Sequence, residues 1–494
     1  MSETIVPPGT EAAGDARLAS TTRYVAWYAR HTPNAAASVE HGVTVSYRHL
    51  AADLIGCVRA FEASGVRPGM LVGIETSLRY QQLLLLLACE ATGAAATALT
   101  ADPDDTMLRH CDIVFSGGAV PGAIGIPSVW SADRTLSEAG PRLLERPIAA
   151  GQIARIARTS GTTGRPKAMP MTRATQQLRI VRTMERVAAD ISPNPRFLCL
   201  YSLAVGSICV RVLGVLQHGG TVLFAAGDQA DALLAAARAN YAVFAVGDIA
   251  RLVENSKLPP YDIAPRIEVF GAAVSPALRR RLRERLSARV SNKYSSNETN
   301  PVAIMGDDNV GTLCQGVEVR IVDEEGREVA AGDSGIIRVR SETMVHGYFD
   351  DPALTAASFI DGWFHTGDVG LMPAPGRLLV LGRADGMLNI GGVKVPPAPI
   401  EAELNQIEGI RDAVVMSIPD RHCVGVLLAA IETGAVPPPL DAMQSAGEIL
   451  ARHVGGFTIM PLRSLPRTRS GKIQRQEIEA MFRRAPPGEL IVVG

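Results

Sequence analysis

The sequence predicts an α/β protein, and three observations carry that expectation. Up to about residue 300, apolar segments of strand length alternate with helical ones, which marks layered sheets of largely parallel strands. Between 302 and 381 the texture turns β-rich, and turn signals recur at Asp307-Asp308-Asn309, Glu324-Glu325-Gly326 and Ala331-Gly332-Asp333. Such spacing suits a small barrel or sandwich. After Gly382-Arg383 the character changes once more, into a compact unit of about a hundred residues.

Taken in order, residues 1–20 are rich in Ala, Gly, Pro and acids and read as a loose arm. They lack the basic start and apolar stretch of a signal peptide. Residues 21–69 read as helical apart from a short strand at 43–45. A strand at 71–74 follows the turn Arg67-Pro68-Gly69, then a buried helix at 81–92 and a strand over 93–99. The apolar run 153–157 reads as a strand. Beyond it come a helix at 173–189, a strand at 196–200, a helix at 207–218 and a strand at 221–225. A helix at 230–240 and strands at 243–246 and 267–270 continue the alternation, and Pro276 opens a helix at 277–288. The final unit carries a helix at 400–406, strands at 413–418 and 425–431, and a Pro-rich loop at 436–440.

With 494 residues the chain exceeds one core, and length alone suggests roughly three domain-sized units. A net charge of −1 argues against nucleic acid or an anionic membrane as the main partner. The longest fully apolar run, 83–89, is too short to span a bilayer. Seven scattered cysteines, without a C-x-x-C pair, suit reduced thiols in a cytoplasm. Of 49 basic residues only five are lysine: Lys167, Lys257, Lys293, Lys394 and Lys472. A lysine where arginine is the habit is therefore informative.

The stretch 158–167 is where chemistry is most legible. Thr159, Ser160, Thr162 and Thr163 supply hydroxyls, Gly161 and Gly164 let the backbone turn its N–H groups inward, and Lys167 adds a compact cation. That combination makes a nest for phosphate oxygens, although a solvated Ser/Thr/Gly loop has the same composition. It is not a Walker loop: Lys167 stands behind Pro166, and Ala168 occupies the place of a magnesium-binding hydroxyl. In Tyr294-Ser295-Ser296-Asn297-Glu298 a flat apolar ring for a base precedes a carboxylate for Mg²⁺. Asp368 ends a turn after Gly367 and offers two acceptors for a ribose diol; Arg383 could meet a ribose or a phosphate. Gly391-Gly392 would admit a thin substrate arm close to the backbone. Near the end, Pro466-Arg467-Thr468-Arg469-Ser470-Gly471-Lys472 sets a lysine after a tight turn.

In this order the five stretches resemble the acyl-adenylate-forming superfamily, which includes acyl- and aryl-CoA synthetases, peptide-synthetase adenylation domains and beetle luciferase. The resemblance runs from about residue 21 to 477. It implies a large multi-layer α/β domain with a small β-barrel part at 21–384, and a small mobile α+β domain at 385–494 hinged at Asp385. It implies that the loop from Thr159 to Lys167 holds the β- and γ-phosphates of ATP and that Gly271, Ala272 and Ala273 border the adenine on which Tyr294 stacks. Glu298 then binds magnesium, Asp368 the ribose hydroxyls, and Arg383 lies alongside. Lys472 bridges the substrate carboxylate and the α-phosphate, and Gly392 belongs to the face past which a pantetheine thiol arrives. The implied activity is formation of acyl-AMP and transfer to coenzyme A, or to the phosphopantetheine of a separate carrier protein.

Departures are informative as well. Ser295 and Asn297 stand where the family usually has Gly and Thr, and Asn297 can still donate a hydrogen bond to phosphate. Asn389 replaces a common lysine, Pro399 a common glutamate, and Gly247-Asp248 a common Pro-Thr or Pro-Ser. Residues 201–207 contain no acid to pair with an α-amine, which disfavours amino acids and favours an apolar or aromatic acid. Val205, Ser207, Val246 and Val302 are the candidate lining of its pocket.

Overall fold

The computed structural model describes residues 20–102, 104–127, 140–159, 167–225, 230, 234, 239–255, 265–270, 274, 276–286, 289–390, 393–419, 425–434, 439–454, 456–468, 473–486 and 490–493. The expected arm at 1–20 apart from Ser20, most of the helix at 230–240 and most of the loop at 436–440 lie outside them. The chain carries a large mixed α/β N-terminal portion with several sheets and a smaller α+β C-terminal portion. By internal contacts it divides into two units, Met1–Val243 with Asn297–Asn300 and Ser341–Gly362, and the remainder.

In the first unit, strands Ile124–Gly125, Ile113–Ser116, Leu71–Glu75, Ala95–Ala98, Ile153–Thr159 and Lys167–Thr172 lie side by side in that order. All pairs are parallel except the last, which is an antiparallel hairpin. A second group runs Val43–Ser46, Ala36–Glu40, Thr221–Phe224, Arg196–Cys199. Thr221–Phe224 is buried at every position, as expected of a strand covered on both faces. Helix Gly206–Gln217 is buried throughout 208–217, so it reads as apolar all round rather than amphipathic. Helix Arg173–Ile191 begins where the Thr172 hydroxyl accepts from the Thr175 N–H at 3.1 Å.

One element runs against the sequence reading. Residues 36–40 were expected to be helical, yet they form strand Ala36–Glu40, paired in parallel with Thr221–Phe224 through Ser38 and Val222. The alanines suit a helix locally, but a sheet edge from far along the chain decides the outcome.

In the second unit, Arg266–Phe270 and Val290–Ser296 are parallel, and the antiparallel strands expected as a small barrel follow. They run Asn300–Met305, Val310–Leu313, Arg377–Arg383, Trp363–Ala374, Gly335–Ser341, Val317–Val322. Among the described residues their pairings leave the run open at Val317–Val322. The C-terminal portion is built on Gly425–Glu432, antiparallel to Asp412–Pro419 and parallel to Phe457–Leu462. Its apolar run is explained by two cores: Leu427, Ala429 and Ile431 enter one, Leu428 and Ala430 the other. Among the described residues no helix is long and apolar enough to cross a membrane.

Candidate active site

The phosphate loop is held by its flanks. Thr159 pairs with Lys167 in the hairpin register, and residues 160–166 between them lie outside the described ones. Lys167 sets its ammonium 5.1 Å from the ring centroid of Tyr348. The Tyr348 hydroxyl donates to Glu298 Oε1 at 2.9 Å. Two bonds position the tyrosine: its N–H donates to Thr355 Oγ1 at 2.9 Å, and the Phe349 N–H donates to the Ala168 carbonyl at 2.7 Å. Burial, and then the Glu298 charge, push the Tyr348 hydroxyl up, so it stays a donor. One ring thus joins the lysine of the loop to the candidate metal carboxylate.

The turn carrying Asn297 and Glu298 hangs on a buried arginine. Arg179, from helix Arg173–Ile191, donates through Nε to the Thr343 carbonyl (2.8 Å), through Nη1 to that of Asn297 (3.1 Å) and through Nη2 to that of Glu298 (2.9 Å). Burial, with Arg155 nearby adding to it and Glu298 opposing, lowers the Arg179 pKa to about 9, so the group is charged at neutral pH. Glu298 itself is 8 % exposed, and Tyr348 is its side-chain donor. A single hard carboxylate suits Mg²⁺ arriving on a triphosphate, which keeps phosphate and water among its ligands.

In the second unit Tyr294, Asp368 and Arg383 come together. The Tyr294 hydroxyl donates to Asp368 Oδ2, and burial followed by the Asp368 charge hold its pKa well above the ordinary value. Asp368 sits across the strand pair from Arg383, whose Nη1 is 3.4 Å from Oδ1 and donates to the Thr366 carbonyl at 2.8 Å. The Asp368 N–H donates to Thr366 Oγ1 at 3.0 Å. Gly367 has φ +73°, and a Cβ there would stand 2.9 Å from Arg383 Nη2, so the turn requires glycine. A carboxylate oriented from both sides, beside a ring, is what a ribose and its base need.

The other candidates divide plainly. Val205 and Ser207 lie in the first unit at the start of helix Gly206–Gln217, both half-buried. Val246 opens helix Val246–Asn255 in the second unit. Val302 is 1 % exposed and packs with Ala303, Ile321, Ile337, Val339 and Leu378, a core role rather than the lining role expected of it. Asp385 falls in the short 3-10 turn Ala384–Gly386. Ser160, Gly161, Thr162, Thr163, Gly164, Gly271, Ala272, Ala273, Gly392 and Lys472 lie outside the described residues. The flanks of Lys472 are nevertheless closed on each other: Arg467 bridges Ile473, and the Gln474 N–H donates to the Pro466 carbonyl at 2.9 Å.

Tyr348, Arg179 and Arg155 were missed by sequence reasoning. The signal for Arg155 was present: an arginine inside an apolar strand run. Arg179 gave a weaker one, standing on the helix face that buries Gln176, Ile180 and Thr183. Nothing local marks Tyr348.

Residues 122–349 match the family described as AMP-binding enzyme. The 2-hydroxy-7-methoxy-5-methyl-1-naphthoate–CoA ligase of Streptomyces carzinostaticus is 25 % identical, with 95 % of this chain and 94 % of that one covered. Feruloyl-CoA synthase of an Amycolatopsis species is 27 % identical over 92 % of this chain and 97 % of its own. In fold the chain is similar to the amide bond synthetase McbA of Marinactinospora thermotolerans, with TM-score 0.76, 22 % identity and 94 % and 99 % coverage. The likeness to AMP-binding enzymes is thus carried by residues 122–349, and the likeness to the solved structure by the fold over nearly the whole length.

Proposed function

We propose that the protein is an AMP-forming acid–thiol ligase that activates an apolar or aromatic carboxylic acid and passes the acyl group to coenzyme A. The observation that carries the first half is the Tyr348 bridge between Lys167 and Glu298, which sets a cation and a metal-binding carboxylate about one ring. Mg·ATP enters as substrate, its β- and γ-phosphates against the Thr159–Lys167 stretch and its magnesium against Glu298. Asp368 takes the ribose hydroxyls, Tyr294 the adenine, and Asn297 donates to phosphate. A carboxylate oxygen attacks the α-phosphorus, the bond to the bridging oxygen breaks, and pyrophosphate leaves with the electron pair. Lys472 meets the charge that builds on the phosphoryl oxygens. The unit beyond Asp385 then turns, and a thiol passes Gly392 to attack the acyl carbon. AMP leaves with the bonding pair, and the thiol proton goes to solvent. Such gating keeps water from the anhydride.

The coenzyme A acceptor is supported by two relatives that span nearly the whole chain and are named for that reaction. The test incubates the protein with ATP, Mg²⁺ and aryl, medium-chain and long-chain acids, then adds coenzyme A or a phosphopantetheinylated carrier protein. The expected result is pyrophosphate release with one acid class, then AMP and acyl-CoA in equal amounts. Consumption of the carrier thiol alone would overturn the acceptor, and ADP with phosphate would overturn the adenylate.

A further inference from the structure

Arg155 is a buried cation, and among the described residues two of its three guanidinium nitrogens are not used. It lies in strand Ile153–Thr159, opposite Ala96, and is 4 % exposed. Its Nη1 reaches the Leu203 carbonyl only at 3.4 Å, and among the described residues Nε and Nη2 find no acceptor. These two nitrogens form the side of the guanidinium that grips a carboxylate with two parallel bonds. The Cys209 thiol lies within hydrogen-bonding reach of the Arg155 side chain but brings no charge, since burial pushes it up despite Arg155 beside it. The next cation, Arg179, spends its three nitrogens on backbone carbonyls and adds positive potential.

The unused fork faces the start of helix Gly206–Gln217. Arg155 Nη2 is 3.0 Å from where a Gly206 Cβ would stand, and Asn297 Oδ1 is 3.6 Å from the same point. Gly206 therefore leaves room that any larger residue would close. The helix N-cap, Val205, offers no side-chain cap, so the positive end of the helix dipole is uncompensated there. A buried guanidinium with two nitrogens unused and an uncapped helix start, both in the first unit, ask for one anion.

We propose that Arg155 is a specificity-determining residue that pairs through Nε and Nη2 with a carboxylate of the acid substrate at the start of helix Gly206–Gln217. This rests on the adenylation reading above. The carboxylate has two possible sources, the group to be activated or a second acidic group on the same molecule. Either way the empty protein bears a cost, because a buried cation without an anionic partner is unfavourable.

The test compares the full-length protein with Arg155→Met and Arg155→Lys in ATP–pyrophosphate exchange, using benzoate against isophthalate and hexanoate against adipate. Arg155→Met is expected to raise the acid KM about tenfold or more, the usual weight of a charge-assisted pair, with the KM for ATP unchanged. A rise confined to the diacids identifies a second carboxylate; an equal rise for all acids identifies the reacting one. Arg155→Lys keeps the charge without the fork and is expected to recover part of the loss. The same acids are expected to raise the melting temperature of the wild type and not that of Arg155→Met, a readout independent of turnover. Without ligand, Arg155→Met is expected to melt no lower than the wild type. An acid KM within twofold of wild type in Arg155→Met, or a lower melting temperature with unchanged acid-induced stabilisation, would make Arg155 structural and overturn the proposal. Wild-type protein that exchanges with none of the acids, yet is stabilised by them through Arg155, would fail the adenylation reading instead.

Discussion

Lys472→Ala is expected to lower ATP–pyrophosphate exchange about 100- to 1,000-fold, the loss typical of removing one preorganised charge from a transition state. ATP binding, measured in parallel by equilibrium titration, is expected to change little. The physical reason is that a carboxylate and an α-phosphate are both anionic, so their approach gains most from a cation aimed between them. A lysine suits that place because its ammonium is a compact point charge on a flexible stem. The segment that bears it is tied at its base by the Arg467–Ile473 bridge, and Arg467 is itself paired with Asp412. Undiminished exchange in the alanine variant would remove Lys472 from the chemistry.

Glu298→Gln is expected to cut kcat/KM about 100-fold and to raise the Mg²⁺ concentration needed for half-maximal exchange. Glutamine keeps the acceptor for the Tyr348 hydroxyl but loses the charge that a hard cation prefers. Tyr348→Phe separates the two contributions. It leaves the carboxylate in place and removes its hydroxyl donor, so the loss is expected to be about three- to tenfold in the same direction. The turn itself persists in both variants, because Arg179 holds it through the Asn297 and Glu298 carbonyls and not through their side chains. A magnesium titration of exchange checks both. An unchanged Mg²⁺ dependence in Glu298→Gln would assign the metal to another group.

The fold was legible where local pattern and burial agree. Thr221–Phe224 and the helix Gly206–Gln217 announce themselves by apolar composition, since the strand is buried at every position and the helix throughout 208–217. Ala36–Glu40 was not legible, because its strand conformation is set by a partner nearly two hundred residues away. In the site, the scarcity of lysine drew attention to Lys167 and Lys472, yet it did not separate them from Lys293. That lysine is buried against Glu268 as an ion pair. Glu298, Asp368 and Arg383 could be named from their motifs, but the groups that orient them could not. Tyr348 and Arg179 act through contacts made only on folding, and a tyrosine or an arginine in an ordinary run carries no local mark of that.

The central claim is that the acid is activated by attack of its own oxygen on the α-phosphorus of ATP, and an isotope experiment tests it most directly. The protein is supplied with ATP, Mg²⁺, coenzyme A and an acid carrying ¹⁸O in its carboxyl group, and the nucleotide product is examined by mass spectrometry. The account predicts AMP that has gained a single ¹⁸O from the acid, with unlabelled pyrophosphate. Unlabelled AMP, or label appearing in inorganic phosphate beside ADP, would contradict it.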